Sequence, residues 1–298
     1  MRFAIRDDDL NFFYSQEMIE ENVKDIWNIC PISMSVVPFI KGNWLKNTKL
    51  LEYLGPNNVS DNIVKDIQSD DEIFDISKNI KLVKYIKEKL SEGKVYLTIH
   101  AIHHRNEDKK LPEVGKNFPI GAEFYTDRDL TYSLKIAVKH LEAVFNQKIV
   151  VFTPPQNLYS KKGFKAIKNN NLNICGYPIQ LKKDLLKYVS LYGFINLLKL
   201  IIHKKKYGTS PYPYLIKSNH IAVIDHKSLQ PATNINKLYK NFDYVYSQGG
   251  DFVLSTHSYG FNYKMQGSDK TMGEVLKEFL LYVKSKDNIE FVTLDKIF

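Results

Sequence analysis

Histidines and aspartates of this 298-residue chain stand at spacings that could hold a metal ion. His100 and His104 are four residues apart and follow the apolar run VYLTI directly, and three consecutive carboxylates, Asp7, Asp8 and Asp9, follow the run RFAIR near the start of the chain. One tight turn would bring both imidazoles to the same side. With one of the carboxylates they would form a two-histidine, one-carboxylate site with open positions, which suits zinc or another borderline divalent ion. His103 should point elsewhere on the turn and lie outside the site.

The simpler explanation is a polar turn rich in aspartate and a pair of structural histidines. Three like charges at a strand end repel each other, however, and a cation or a shared proton would relieve that repulsion. Residues that could do chemistry also follow several predicted strands: Asp7 to Asp9, His100 and His104, Pro154 to Asn157, and His257. In a β/α barrel the carboxyl ends of the strands share one face, and that face holds the active site.

The elements that must position these residues alternate between strands and helices. The apolar patterns predict strands over 2–6, 33–37, 95–99, 149–152, 172–175, 221–225, 252–256 and 290–293. They predict helices over 17–27, 79–93, 129–145, 160–168, 184–203 and 271–285, and a polar, irregular segment with some helical pieces over 41–71. Such alternation favours parallel βαβ units in a barrel or a doubly wound sheet. No repeat or linker divides the chain, so we expect one domain over 1–298.

Composition limits the class of protein further. Hydrophobic residues make up 44% of the chain, enough for a large core. No signal-peptide pattern and no apolar run of about 18 residues is present, so we expect neither export nor a spanning helix. Cys30 and Cys175 stand in no metal or redox spacing and should be buried free thiols in a reducing cytoplasm.

The formal net charge of +9 is not spread evenly. The segment Ser160 to Lys206 contains eleven lysines and one acid, Asp184, which leaves it at +10. A solvated lysine face is the ordinary explanation, and an anionic substrate or membrane surface is the functional one. Arginine is scarce and no nucleic-acid-binding signature is present, which argues against nucleic acid. We expect this segment to face a phosphate-bearing partner or the cytoplasmic face of the inner membrane.

Four motifs together resemble one known family. The strand ending in Asp-Asp, the H-x-x-x-H of His100 and His104, the FTPPQN segment over 152–157 and the VLSTH segment over 253–257 resemble the polysaccharide deacetylases, the NodB-like carbohydrate esterase family 4. The resemblance covers nearly the whole chain and is greatest for a divergent branch linked to lipopolysaccharide and capsule synthesis. It implies an α/β fold, a distorted (β/α)7 TIM-like barrel. It also implies metal-dependent removal of an N- or O-acetyl group from a sugar, with zinc as the expected ion.

The resemblance also implies roles for individual residues. Asp8 is the base that takes the proton of the attacking water. Asp9, His100 and His104 are the metal ligands, and His257 is the acid that protonates the leaving amine. Pro155 and Asn157 are expected to contact the substrate.

Strand alternation predicts which of the three aspartates face the barrel interior. Phe3 and Ile5 should face the surrounding helices, so the interior positions are Ala4, Arg6 and Asp8. Asp7 then points away and is a supporting residue, although a bulge would invert this order. The family usually has an arginine in its third motif that holds the catalytic base. The corresponding FTPP run of this chain has no arginine. Arg6 lies on the same side of the strand as Asp8 and could replace that arginine. The aspartate that would support His257 is not evident, with Asp225 and Asp251 as candidates.

Two other functions are consistent with these sequence features. One is a catalytically inactive or divergent barrel that binds a glycan, and the other is a metal-dependent hydrolase of another bond, such as a phosphoester. Fold alone does not separate them. Release of acetate from an acetylated sugar would distinguish a deacetylase from an inactive barrel.

Overall fold

The structure is a computed structural model that describes residues 1–44, 46–47, 61–108, 120–178, 191–208, 215–218 and 220–298. Its strands are β1 (Arg2–Leu10), β2 (Ile32–Val36), β3 (Phe39–Lys41), β4 (Ile73–Asp75), β5 (Val95–Ile99), β6 (Val151–Phe152), β7 (Asn173–Cys175), β8 (Leu215–Ser218), β9 (Ile221–Ile224), β10 (Lys227–Ser228), β11 (Phe252–Thr256) and β12 (Glu290–Phe291). Its helices are α1 (Gln16–Val23), α2 (Asp61–Ser69), α3 (Ile80–Ser91), α4 (Thr131–Phe145), α5 (Lys161–Asn169), α6 (Leu191–Tyr207), α7 (Ile235–Ser247) and α8 (Met272–Lys284).

The main sheet curls into a partial barrel. Its strand order is β10-β11-β1-β2-β5-β6-β7-β9-β8, with β12 paired to the start of β1, and only the β8–β9 pair is antiparallel. Strands β9 and β10 are separated only by Asp225 and His226, yet β9 pairs with β7 and β10 pairs with β11. This two-residue link therefore runs from β9, which lies next to the edge strand β8, to the edge strand β10 on the other side of the sheet. The result is an α/β barrel of parallel strands with helices outside, the distorted TIM-like fold that the resemblance implied.

Side chains on the two faces of β1 enter separate cores. Phe3 and Ile5 belong to the large core beneath the helices. Ala4 packs inside the barrel with residues of β6, β7, β9 and β11, and Leu294 and Ile297 of the C-terminal turn close that smaller cluster. The alternation predicted for this strand therefore holds as far as Asp8.

Several elements differ from the prediction. Helix α7 was not predicted, although Asn234 caps it with a 3.0 Å bond from Lys237 N–H, and Leu238, Phe242 and Val245 are buried along one face. The segment 41–71 was expected to be irregular with some helical pieces, and α2 lies within it, whereas Lys41 ends β3, which pairs antiparallel with β4; residues 45 and 48–60 of the segment lie outside the described residues. Of the helix predicted over 184–203, residues 184–190 lie outside the described residues, and α6 continues to Tyr207.

The outer face of β1 supplies a direct test of the core. The Phe3 ring lies 5.5 to 6.3 Å from four other phenylalanine rings, those of Phe242, Phe252, Phe279 and Phe291. Phe3→Ala should lower the free energy of unfolding by about 3–5 kcal/mol, because it empties a fully buried site. Urea unfolding measures this, with Tyr132→Ala as control since Tyr132 is 74% exposed. Equal stability of the two variants would contradict the packing described here.

Candidate metal centre and active site

Arg6 and Asp8 form a buried ion pair inside the barrel. Arg6 donates from Nη2 and Nε to Asp8 Oδ2 at 2.6 and 3.1 Å. It also reaches the Cys175 carbonyl on β7 at 2.8 Å and Asn157 Oδ1 at 3.1 Å. Burial works to raise the pKa of Asp8, but the charge and hydrogen bond of Arg6, together with His100 and His257, outweigh it and hold that pKa below its usual range. Asp8 is therefore ionised at neutral pH.

Asp9 is turned into the barrel mouth by an irregularity within β1. The β1–β2 register shifts between Asp7 and Leu10, and Asp9 has a φ of 76°. The prediction placed Asp9 just past the end of the strand, whereas the strand continues to Leu10. A bulge inserts a residue and re-aims the side chain beside it, so Asp8 and Asp9 can both serve one site although they are neighbours in a strand.

The three residues expected to hold a metal lie together. Asp9 Oδ1 is 3.1 Å from His100 Nε2 and 3.3 Å from His104 Nε2, and the three donor atoms lie within 4.8 Å of one another. His100 Nδ1 lies 2.9 Å from the Thr153 carbonyl, which fixes the ring with Nε2 towards Asp9. His103 lies outside this group, as expected, with Nδ1 2.8 Å from the Phe39 carbonyl.

The donor set fits a divalent cation. Asp9 Oδ1 is buried and has no hydrogen-bond partner among the residues described. Burial lowers the pKa of His104 to about 4, so at neutral pH its imidazole is uncharged. Burial opposes ionisation of Asp9, but His104 and His100 hold its pKa below the usual range. A carboxylate and two imidazole nitrogens form a donor set that is typical of catalytic sites for zinc and similar divalent ions.

His257 reaches the same group from the end of β11. Its Nε2 is 3.8 Å from Asp9 Oδ2, and its side chain is 27% exposed. Asp7 points away from the barrel and accepts a 2.6 Å bond from the Ser258 backbone N–H, which ties β1 to the turn that carries His257. Burial raises the pKa of Asp7 to about 8, against the opposing effect of that bond.

The aspartates considered as partners of His257 bind other residues. Asp251 binds Arg2 at the opposite end of β11, with 2.8 and 2.9 Å bonds from the backbone N–H and Nε. Asp225 pairs with Lys204 of α6 at 3.1 Å. The 3-10 turn Pro155–Asn157, which contains both expected substrate contacts, follows β6 and lies beside Arg6 through Asn157.

Two buried residues near the site were not predicted. Glu123 accepts hydrogen bonds from the backbone of the turn that carries His104, and it lies on a segment without regular structure, so no periodic pattern marked it. His226 stacks on Tyr177 at 4.5 Å, and within the part of the chain that the structure describes neither ring nitrogen has a hydrogen-bond partner. Its place directly after the predicted strand 221–225 was a usable signal.

No protein-family model and no curated protein sequence match this chain. Solved structures do. A family 4 acetyl xylan esterase from Clostridium thermocellum, in complex with a cobalt ion, is 12% identical over 100% of this chain and 90% of its own, with a TM-score of 0.44. A putative polysaccharide deacetylase from Mycobacterium smegmatis is 10% identical over 99% and 88%, with a TM-score of 0.48. A mutant of a family 4 pseudoenzyme with restored activity is 12% identical over 85% and 65%, with a TM-score of 0.33. At these identities the similarity concerns the fold alone.

The buried ion pair generates a prediction that is independent of activity. Arg6→Met leaves the Asp8 charge buried without its partner and should lower the free energy of unfolding by about 3–5 kcal/mol. Asp8→Asn in the same chain removes the stranded charge, so the double variant should recover part of the loss. Urea unfolding of the wild type, both single variants and the double variant gives the coupling. Strictly additive losses would show that the two groups do not interact.

Proposed function

We propose that this protein is a metal-dependent carbohydrate deacetylase that hydrolyses the N- or O-acetyl group of a sugar. The observation that supports this most is the meeting of Asp9, His100 and His104 donor atoms beside an ionised Asp8, at the carboxyl ends of the barrel strands. That face is where β/α barrels bind and transform their substrates.

The metal ligands in this proposal are Asp9, His100 and His104, with zinc as the expected ion. When bound there, a divalent cation would polarise the acyl carbonyl, stabilise its developing negative charge and make water more acidic. The Thr153 carbonyl keeps His100 in the orientation that this requires.

Asp8 acts as the general base. Arg6 binds one carboxylate oxygen, Oδ2, and keeps the group ionised. The other oxygen, Oδ1, is buried and has no partner among the described residues. That oxygen takes the proton of the attacking water, and the charge of Arg6 stays beside the carboxyl group throughout.

His257 acts as the general acid. It is the most exposed of the three histidines around Asp9, so a substrate can reach it. A protonated imidazole there gives its proton to the leaving nitrogen or oxygen as the acyl bond breaks. Asp7 holds the adjoining turn in place, and Pro155 and Asn157 form the wall that contacts the sugar.

The test is acetate release from N- and O-acetylated sugars by protein supplied with zinc, together with a set of aspartate variants. Asp8→Asn should keep the metal and lose turnover, because only the base is removed. Asp9→Asn should lose metal affinity. Asp7→Asn, which keeps the shape of the side chain, should change metal affinity and turnover little.

His257→Ala should lower kcat by about 10²–10⁴-fold with metal content unchanged. A folded, metal-loaded wild type that releases no acetate from any acetylated sugar would favour a glycan-binding barrel. Loss of the metal in Asp8→Asn and loss of turnover in Asp7→Asn would show that the catalytic pair is Asp7 and Asp8.

We also propose that the reaction takes place at the inner face of an anionic membrane, on a phosphate-linked sugar of cell-surface polysaccharide synthesis. Helix α6 supports this, because Phe194, Leu198 and Ile202 recur every fourth residue and are 42, 43 and 65% exposed. Lys204, Lys205 and Lys206 follow in its last turn. An apolar stripe next to lysines is typical of helices that lie in a membrane interface. Across the described ranges, no helix is long and apolar enough to span a bilayer.

Vesicle binding tests this location. The protein should bind vesicles of phosphatidylglycerol and phosphatidylcholine, and binding should weaken as salt rises. Ile202→Asp should reduce binding, whereas Ile80→Asp, on an equally open site of α3, should not. Equal binding to pure phosphatidylcholine, or no binding to either, would leave the lysines as an ordinary solvated surface.

A further inference from the structure

Glu123 is a buried carboxylate that accepts hydrogen bonds from three consecutive backbone N–H groups. Its Oε2 accepts from Ile102 at 2.8 Å, from His103 at 3.0 Å and from His104 at 3.1 Å, and Oε1 also accepts from His103 at 3.2 Å. Glu123 is only 6% exposed to solvent. A concave row of N–H groups is a natural anion-binding feature, and here the anion is part of the same chain.

The turn that Glu123 binds needs such support. His104 has a φ of 54°, in the left-handed region that residues other than glycine adopt at a cost. A turn of this kind persists where its surroundings determine it. The bonds to Glu123 end at the backbone of His104 itself, so the carboxylate fixes the residue from which the imidazole projects.

The segment that carries Glu123 is itself anchored. Glu123 N–H donates to the Gly121 carbonyl at 2.8 Å. Asn106, two residues after His104, donates from its backbone to Ile120 at 2.7 Å and from its side chain to Ala122 at 2.9 Å. The Asn106 side chain also donates to the Tyr125 carbonyl at 3.1 Å, so this short loop is linked to the histidine turn on both sides of Glu123.

Gly121 of the same loop contacts the His104 ring directly. A Cβ at this position would lie 2.6 Å from His104 Cε1 and 2.9 Å from Nδ1. The imidazole can occupy its place beside Asp9 only because residue 121 has no side chain. His100 is oriented differently, through the Thr153 carbonyl on the neighbouring strand.

We infer that Glu123 and Gly121 are positioning residues for the metal site, Glu123 through the His104 backbone and Gly121 through the His104 ring. This inference rests on the proposed binding of a divalent ion by Asp9, His100 and His104. Neither residue is itself a metal ligand. Both act by holding His104 where it can bind the same ion as Asp9 and His100. Residues that orient metal ligands commonly change metal affinity 10–100-fold when they are replaced.

The experiment is a metal titration of the full chain, prepared metal-free, with Zn²⁺ by calorimetry and with Co²⁺ by its visible absorption. Glu123→Ala should weaken binding by about 10–100-fold and alter the Co²⁺ spectrum, which reports the ligand geometry. Glu123→Gln keeps one acceptor oxygen and should lie between Glu123→Ala and the wild type. Glu142→Gln is the matched control, since Glu142 also accepts a backbone bond, 3.1 Å from Ile149 N–H, but at the end of α4. It should bind metal as the wild type does.

Gly121→Ala keeps the inference testable if the Glu123 variants do not fold. The added methyl group would overlap the His104 ring and displace it from its place beside Asp9. Metal affinity should therefore fall, while the unfolding midpoint of the metal-free chain changes little. Wild-type affinity and an unchanged Co²⁺ spectrum in Gly121→Ala and in the folded Glu123 variants would overturn the inference and leave the proposed metal site intact. A wild type that binds neither ion would overturn both.

Discussion

The structure depends on the burial of three adjacent carboxylates at the end of β1. Asp7, Asp8 and Asp9 are 3, 3 and 7% exposed, and buried carboxyl groups, charged or neutral, need partners because they lose hydration on burial. Each has a different one. Asp8 has the Arg6 guanidinium, and Asp7 has the Ser258 backbone N–H. Asp9 faces imidazoles, and the one at His104 is uncharged at neutral pH because burial lowers its pKa to about 4. A bound cation would complete that last arrangement.

The fold and the site therefore stabilise each other. The partners of Asp9 and Asp7 come from the turns after β5 and β11, and Arg6, the partner of Asp8 on β1 itself, spans the interior to the Cys175 carbonyl on β7. These contacts need the parallel strands in their observed order, because that order brings the strand ends together. The C-terminal turn fills the opposite end of the barrel, where Leu294 N–H donates to Ser33 Oγ at 2.8 Å. Polar groups thus occupy one end of the interior and apolar groups the other.

Local patterns predicted parallel βαβ units and the position of most elements, and the resemblance to the polysaccharide deacetylases favoured a barrel over a doubly wound sheet. The period of two in RFAIR placed Phe3 and Ile5 outside and Arg6 and Asp8 inside, because that alternation is set by backbone geometry alone. The sequence of β1 does not locate the bulge that redirects the Asp9 side chain, since a register shift depends on the neighbouring strand. Glu123 could not be predicted for the same reason. Its role comes from a contact between two irregular loops, and no periodicity marks such contacts.

The central claim is that Asp9, His100 and His104 hold one divalent ion at the mouth of the barrel. Anomalous diffraction at the zinc absorption edge, from crystals of the chain loaded with one equivalent of Zn²⁺, tests it most directly. We expect a single strong peak at about 2.0–2.2 Å from the Nε2 atoms of both histidines and from an Asp9 oxygen. A peak bound by other residues, or a site at Asp9 that stays empty under saturating zinc, would contradict it.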